Sequence, residues 1–170
     1  MNYLKKLESL PKFGKESRSS FCYWFYHWYA YQLTALHLKH WKFKYLFHDI
    51  EKPWLKLLWK GDYKKVQEWH RKHNSHHTEY MFRKHHYDPE AMVIDWECSR
   101  FTKKAGQLNA YETLEMECEK MIDKGVNEGT VGIFHSQIFN ILYNWNIIDK
   151  AKKYYPRYLI TRLGCTISEN

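Results

Sequence analysis

The chain has 170 residues, of which 44% are hydrophobic, and this composition excludes a disordered chain and predicts a globular protein with its own core. The scarcity of glycine (7) and proline (4) argues against a turn-rich β sandwich or barrel and favours long helices. Lys and Arg number 27 against 19 for Asp and Glu. The net charge of +8 permits a phosphate, nucleotide or nucleic-acid ligand, although a generally basic surface explains it equally well.

The most apolar stretch, residues 21–36, predicts a buried helix and not a membrane span. It is 16 residues long and contains His27 and Gln32, whereas a span needs roughly 20 apolar residues. The N-terminal residues lack the apolar region and cleavage site of a signal peptide. The four cysteines are dispersed without a C-x-x-C pair, as in a protein with reduced thiols. We therefore expect a cytoplasmic protein that does not interact with membranes.

Helical segments separated by turn residues follow a polar lead-in at 1–17, and nothing in the sequence resembles a set of strands. Ser19 or Ser20 can cap the first long helix, and Pro53 predicts a bend or a helix restart. Asp88 followed by Pro89 predicts a strong helix start. The predicted helices cover, in chain order, about 19–38, a segment from about 41, 63–73, 75–84, 89–104, 110–124, 133–144 and 145–153.

Histidine and aspartate residues form an ordered series along these helices. Its members are, in chain order, His27, His48, Asp49, His70, His76, His77 and Asp95. Ligands drawn from several helices can converge inside a bundle, as they do in bundle-core metal sites. Nitrogen and carboxylate ligands suit one or two divalent ions among Mn, Fe, Co, Ni, Mg and Zn, and the lack of a thiolate argues against a structural zinc finger.

The segment from Phe47 to Pro53 resembles the H-D-I-x-K-P signature of the HD superfamily of metal-dependent phosphohydrolases. The H-x5-H-H spacing that starts at His70 and the Asp95-Trp96 pair are similar to a small branch of that superfamily in phages and bacteria. The resemblance spans about residues 23–104. It implies an all-α protein, a single-domain helical bundle of the HD-domain type, with a metal-site core at about 20–105, packing helices at 106–155 and a tail at 156–170.

The resemblance also implies a role for each member of the series. The first metal would be held by His27, His48, Asp49 and Asp95. Asp49 would bridge to a second metal held by His70 and by either His76 or His77. The metal pair would activate a water molecule for attack on phosphorus, with Asp49 and Lys52 as catalytic residues. Lys52, Arg71 and Arg100 would bind the phosphorylated substrate.

Two points in this assignment stay open at the level of sequence. His37 and His40 compete with His27 as the upstream ligand, although they lie only 11 and 8 residues before His48. Glu51 replaces a residue that is small, often glycine, in the superfamily pattern. The replacement is either neutral or places a carboxylate near the site.

The expected function is hydrolysis of a nucleotide or a related small phosphoester by metal-activated hydroxide. One alternative is an HD-like protein that binds a nucleotide or nucleic acid without turning it over. The other is a di-iron oxygenase of the HD type, since the same ligands would serve it. We expect a small phosphorylated partner rather than nucleic acid. The aromatic helix at about 19–38 is compatible with a homo-oligomer. The branch resemblance fits a phage gene product that acts in the host cytoplasm.

Overall fold

A computed structural model describes residues 2–84, 86–104, 108–151, 154 and 156. These residues contain eight α-helices and no strand, with one isolated bridge between Phe13 and Lys103, so the all-α prediction is confirmed. The helices are α1 (Tyr3–Glu8), α2 (Phe21–His37), α3 (Glu51–Leu58), α4 (Tyr63–His73), α5 (Thr78–Lys84), α6 (Pro89–Thr102), α7 (Ala110–Asp123) and α8 (Glu128–Asn144). No helix in this described part of the chain has the length and hydropathy of a membrane span.

Side-chain caps explain where several helices begin. The Ser20 hydroxyl accepts a hydrogen bond from the Tyr23 amide at 3.0 Å, which starts α2 at the predicted place. Asp88 accepts from the Ala91 amide at 3.1 Å, and Pro89 occupies the first position of α6. The predicted starts of α2 and α6 are therefore confirmed, and so is the predicted range of α4.

Some boundaries differ from the prediction. The lead-in contains α1, which is short and depends on packing, since its Leu7 is fully buried. Asn127 caps α8, so that helix begins at Glu128 and not at 133. The helix predicted over 145–153 is wrong for its described residues, because Asn146 turns the chain with a φ of 55° and turns follow to 151. The rest of that stretch, and the tail apart from Pro156, lie outside the described residues.

The contacts divide the chain into two compact units, Met1–Asn109 and Ala110–Asn170, and the single domain stays a prediction. In the first unit α2 packs along α6, and α1 packs on α2. Met92, Val93 and Ile94 of α6 are fully buried, as is Tyr31 of α2. Burying each such side chain contributes about 1.5–3 kcal/mol, so this helix pair is the main support for residues that project from it.

The second unit is built on the contact between α7 and α8. Gly125 ends α7 with a φ of 78°, a conformation that residues other than glycine adopt at a cost. Leu114 of α7 and Ile138 of α8 are fully buried. His135 Nε2 and Glu115 Oε1 form a buried hydrogen bond at 2.8 Å between the two helices.

Candidate metal centre

The seven residues of the predicted series come from separate elements of the first unit and lie together in one buried cluster. Their positions are α2 for His27, the junction before α3 for His48 and Asp49, α4 for His70, the turn before α5 for His76 and His77, and α6 for Asp95. They belong to overlapping groups whose ligand atoms lie within 4.8 Å of one another. Buried groups of this kind can hold a metal ion.

Asp49 occupies the centre of the cluster, and its two carboxylate oxygens face different histidines. Its Oδ2 lies 3.7 Å from His27 Nε2 and 3.6 Å from His48 Nε2. Its Oδ1 lies 3.1 Å from His70 Nε2 and 3.6 Å from His76 Nε2. The Asp49 side chain is only 1% exposed, and its backbone has a φ of 59°, which Asp tolerates better than most residues. One carboxylate therefore connects two potential ligand sets.

The first ligand set is completed by Asp95 from α6. Asp95 Oδ1 lies 3.0 Å from His27 Nε2 and 3.4 Å from His48 Nε2. Together with Asp49 Oδ2, these atoms offer two imidazole nitrogens and two carboxylate oxygens. Of the three histidines that compete for the upstream position, the structure places His27 here, while His37 is exposed at the end of α2.

The second ligand set contains both histidines between which the sequence left the choice open. His77 Nε2 lies 2.8 Å from His70 Nε2, and His70, His76 and His77 form one of the potential ligand groups. Helical periodicity ends in the turn between α4 and α5, so the adjacent residues His76 and His77 can both approach His70. With Asp49 Oδ1, this set offers three nitrogens and one oxygen.

Unpartnered atoms in the cluster fit a bound cation. His48 Nε2, Asp49 Oδ1 and His76 Nε2 are buried and have no hydrogen-bond partner among the described residues. Buried polar atoms are rarely left in this state, because each one costs about 1–3 kcal/mol. A divalent ion in each set would satisfy these atoms and balance the two carboxylates.

The protonation states suit metal ligation as well. Burial lowers the pKa of His48, His70 and His77, so the rings are neutral near pH 7 and keep a lone pair. Burial alone would raise the pKa of Asp49 and Asp95. Contacts with the histidine rings, and for Asp49 the Lys52 charge as well, outweigh this and hold both pKa values well below the ordinary range. The carboxylates are therefore ionised.

Outer contacts fix the orientation of several potential ligands. Glu51 contacts His70 Nδ1 and also accepts a hydrogen bond from Asn74 Nδ2 at 2.9 Å. The Tyr31 ring stacks on His48 with centroids 3.7 Å apart. The Glu51 carboxylate can hold a proton on His70 Nδ1 and so leave Nε2 free for a metal, whereas the Tyr31 ring limits the orientation of His48. The structure thus places the Glu51 carboxylate beside the site, one of the two possibilities that the sequence left open.

Glu51→Gln is expected to weaken binding of the ion in the second set by about 10- to 100-fold, because the neutral amide holds the His70 ring less firmly. A chelator-competition titration measures this change. Glu68→Gln is the matched control, since Glu68 is exposed on the same helix as His70. Equal affinity in Glu51→Gln and wild-type protein would show that Glu51 does not support the ligand.

Cys98 contacts two residues of the cluster, which the dispersed positions of the cysteines in the sequence did not indicate. Its thiol donates to the Asp95 carbonyl at 3.2 Å, and its sulfur lies 3.8 Å from His27 Nδ1. Burial raises the pKa of the Cys98 thiol well above its usual value in the metal-free protein. Cys98 also forms, with His27 and Asp95, one of the groups that could hold a metal ion.

A cavity of about 600 Å³ opens beside the cluster, and its lining includes His27, Asp49 and Lys52. The Lys52 ammonium pairs with Asp49 Oδ2. Burial alone would lower the pKa of Lys52, but the Asp49 charge raises it, so this amine is cationic. Trp24, another lining residue, donates its indole N–H to the Asp49 carbonyl at 2.7 Å. The cavity therefore gives a small molecule access to the cluster.

The structure does not bring Arg71 and Arg100 to this cavity. Arg71 lies 3.8 Å from Glu79, and Arg100 lies 2.7 Å from Glu97. Their role in substrate binding stays a prediction. The basic residues that line the cavity besides Lys52 are Arg18, Lys56 and Lys60. Sequence reasoning missed Arg18, because nothing local indicates that the turn before α2 meets α3.

The chain matches no family model, no curated protein and no solved structure. The resemblance to the HD superfamily therefore stays a prediction, and the function is argued from the site.

Proposed function

We propose that this protein is a metal-dependent phosphohydrolase that acts on a nucleotide or a related small phosphoester. The observation that carries the proposal is the position of Asp49, whose two oxygens face two separate sets of buried histidines. A carboxylate between two ligand sets is suited to hold two cations at the short separation that paired-metal hydrolases use, about 3.5–4 Å. The cavity beside it supplies room for the substrate.

When bound, divalent ions in such a centre activate water and offset charge on phosphoryl oxygens. Asp49 and Asp95 would share the first ion with His27 and His48, and Asp49 would also hold the second. Lys52 lines the cavity as a cation and can donate to a phosphate oxygen. Trp24 holds the Asp49 backbone through its indole N–H, which keeps the carboxylate in place.

The cavity lining supports an anionic substrate that also carries a planar or apolar group. Phe21 and Trp54 both line the cavity and are 65% and 70% exposed, so their rings can stack on a base. Among the residues that the structure describes, four basic side chains and one acidic side chain, that of Asp49, line the same space. A nucleotide combines both features.

The test is a phosphoester screen on protein stripped of metal and then reloaded separately with manganese, magnesium, cobalt, nickel, zinc or iron. We expect hydrolysis of at least one nucleotide in the reloaded protein and none after chelation. A metal-loaded protein that hydrolyses no phosphoester would contradict the proposal. Iron binding with oxygen uptake would instead favour the oxygenase, and nucleotide binding that survives chelation without product would favour a binding protein.

A further inference from the structure

Arg18 is a cation in the cavity wall, and no anionic group in the described part of the chain pairs with it. It lies in the turn that joins the 3-10 helix Lys15–Ser17 to α2, and it lines the same cavity as Lys52. Its Nε is buried and has no hydrogen-bond partner, and no carboxylate in the described ranges pairs with its guanidinium. A buried guanidinium N–H without a partner is an unsatisfied hydrogen-bond donor, and an acceptor would stabilise it.

Basic residues line the cavity beside Arg18, whereas Glu16, two residues before Arg18, is exposed and does not line the cavity. Lys56 donates from Nζ to the Ser19 carbonyl, which brings α3 against the turn that carries Arg18. The N-terminal end of the 17-residue helix α2 lies next to this turn, since Ser20 and Phe21 also line the cavity. An anion at this place would lie near the planar guanidinium of Arg18, the ammonium of Lys56 and the positive end of the α2 dipole.

This part of the cavity differs from the metal centre in its chemistry. Lys52, at the metal centre, is already paired with Asp49. Tyr23 and Tyr63 line the same cavity, and the Arg18 charge acts on both phenols, while the Lys52 charge acts on Tyr63 as well. The cavity therefore has one cation committed to the ligand cluster and another that is open to an anion.

We propose that Arg18, supported by Lys56, forms a second anion subsite in the cavity, so that the preferred substrate carries a phosphate in addition to the one attacked. The identity of the attacked group rests on the proposed function, whereas the subsite itself does not. A polyphosphate ester, such as a nucleoside diphosphate or triphosphate, has this chemistry. A monophosphate leaves Arg18 without an acceptor.

The subsite is tested on the full-length, metal-free protein, because chelation leaves the Arg18 subsite as the main anion site in the cavity. Isothermal titration calorimetry with inorganic pyrophosphate is expected to give saturable binding to wild type. Arg18→Gln is expected to weaken it by about tenfold or more, since a charge-assisted bidentate contact is lost. Arg18→Lys keeps the charge without the planar fork and is expected to show a smaller loss.

Lys15→Gln is the control, because Lys15 is an exposed cation in the preceding 3-10 helix and does not line the cavity. Its affinity for pyrophosphate is expected to stay within about twofold of wild type if long-range charge contributes little. Circular dichroism verifies that each variant is folded. The subsite would be overturned if wild type showed no saturable binding of pyrophosphate. It would also be overturned if Lys15→Gln and Arg18→Gln lowered the affinity for pyrophosphate equally.

A second arm uses the metal-loaded protein and compares ADP with AMP as substrates. Arg18→Gln is expected to lower kcat/KM for ADP about tenfold more than for AMP. Arg18-dependent pyrophosphate binding without any hydrolysis would contradict the proposed function alone. If the protein hydrolyses a nucleotide but Arg18→Gln does not change its affinity for pyrophosphate, the subsite alone is contradicted.

Discussion

Asp49→Asn is expected to abolish retention of both metal ions and, with them, hydrolysis. The amide removes the negative charge that faces both ligand sets, and only one of its two polar atoms can ligate a cation. We expect the affinity to fall by more than the roughly 10- to 100-fold that follows loss of an outer partner. Metal content per chain, measured on protein purified without a metal-affinity tag, tests this directly.

Asparagine is the chosen replacement because it tolerates the left-handed backbone of residue 49, with its φ of 59°. The variant leaves the Lys52 ammonium without its carboxylate, so folding is checked by circular dichroism. Asp95→Asn keeps the Asp49–Lys52 pair and is expected to release the ion of the first set only. Asp62→Asn, an exposed helix cap for which Asn serves equally well, should change nothing.

The outcome that contradicts the dinuclear centre is metal content in Asp49→Asn equal to that of wild type. Selective loss of one ion in Asp95→Asn would locate the two sets separately. If Asp95→Asn released both ions, the two sets would act as one cooperative site.

Removal of metal is expected to lower the Tm by roughly 8–16 °C for each bound ion that is lost. Binding of one ion to the folded state alone contributes about 4 kcal/mol when the free ion exceeds its Kd by a factor of about 1,000. A chain of this length changes its Tm by about 2–4 °C for each kcal/mol. The ligands lie in α2, α4 and α6 and in the connecting turns, so an unfolded chain cannot present them together. Differential scanning calorimetry with and without chelator measures the shift.

The control for this shift is Asp49→Asn, whose Tm is expected to be the same with metal and with chelator. A similar rise of Tm in wild type and in the variant would mean that the ion stabilises the protein elsewhere. No shift in wild type, despite measured binding, would mean that the ion also binds the unfolded chain.

Local chemistry explains what could be predicted from the sequence. Ser20 and Asp88 cap α2 and α6 as expected, because a cap involves only residues three apart. The ligand candidates were also evident from residue type and order along predicted helices. The sequence did not distinguish His76 from His77 as a ligand, because side-chain directions in the turn after α4 do not follow helical periodicity. The structure brings both histidines to His70.

The sequence by itself determined the all-α class, the starts of α2, α4, α6 and α7, and the set of histidines and aspartates that can hold metal. Only the tertiary structure decided that His27 joins the cluster, that Asp49 faces two ligand sets, and that Glu51 lies behind His70. It also decided that Arg18, and neither Arg71 nor Arg100, lines the cavity. The physical reason is that these contacts join residues far apart in sequence, whose distances depend on how α2, α3, α4 and α6 pack and not on local propensity.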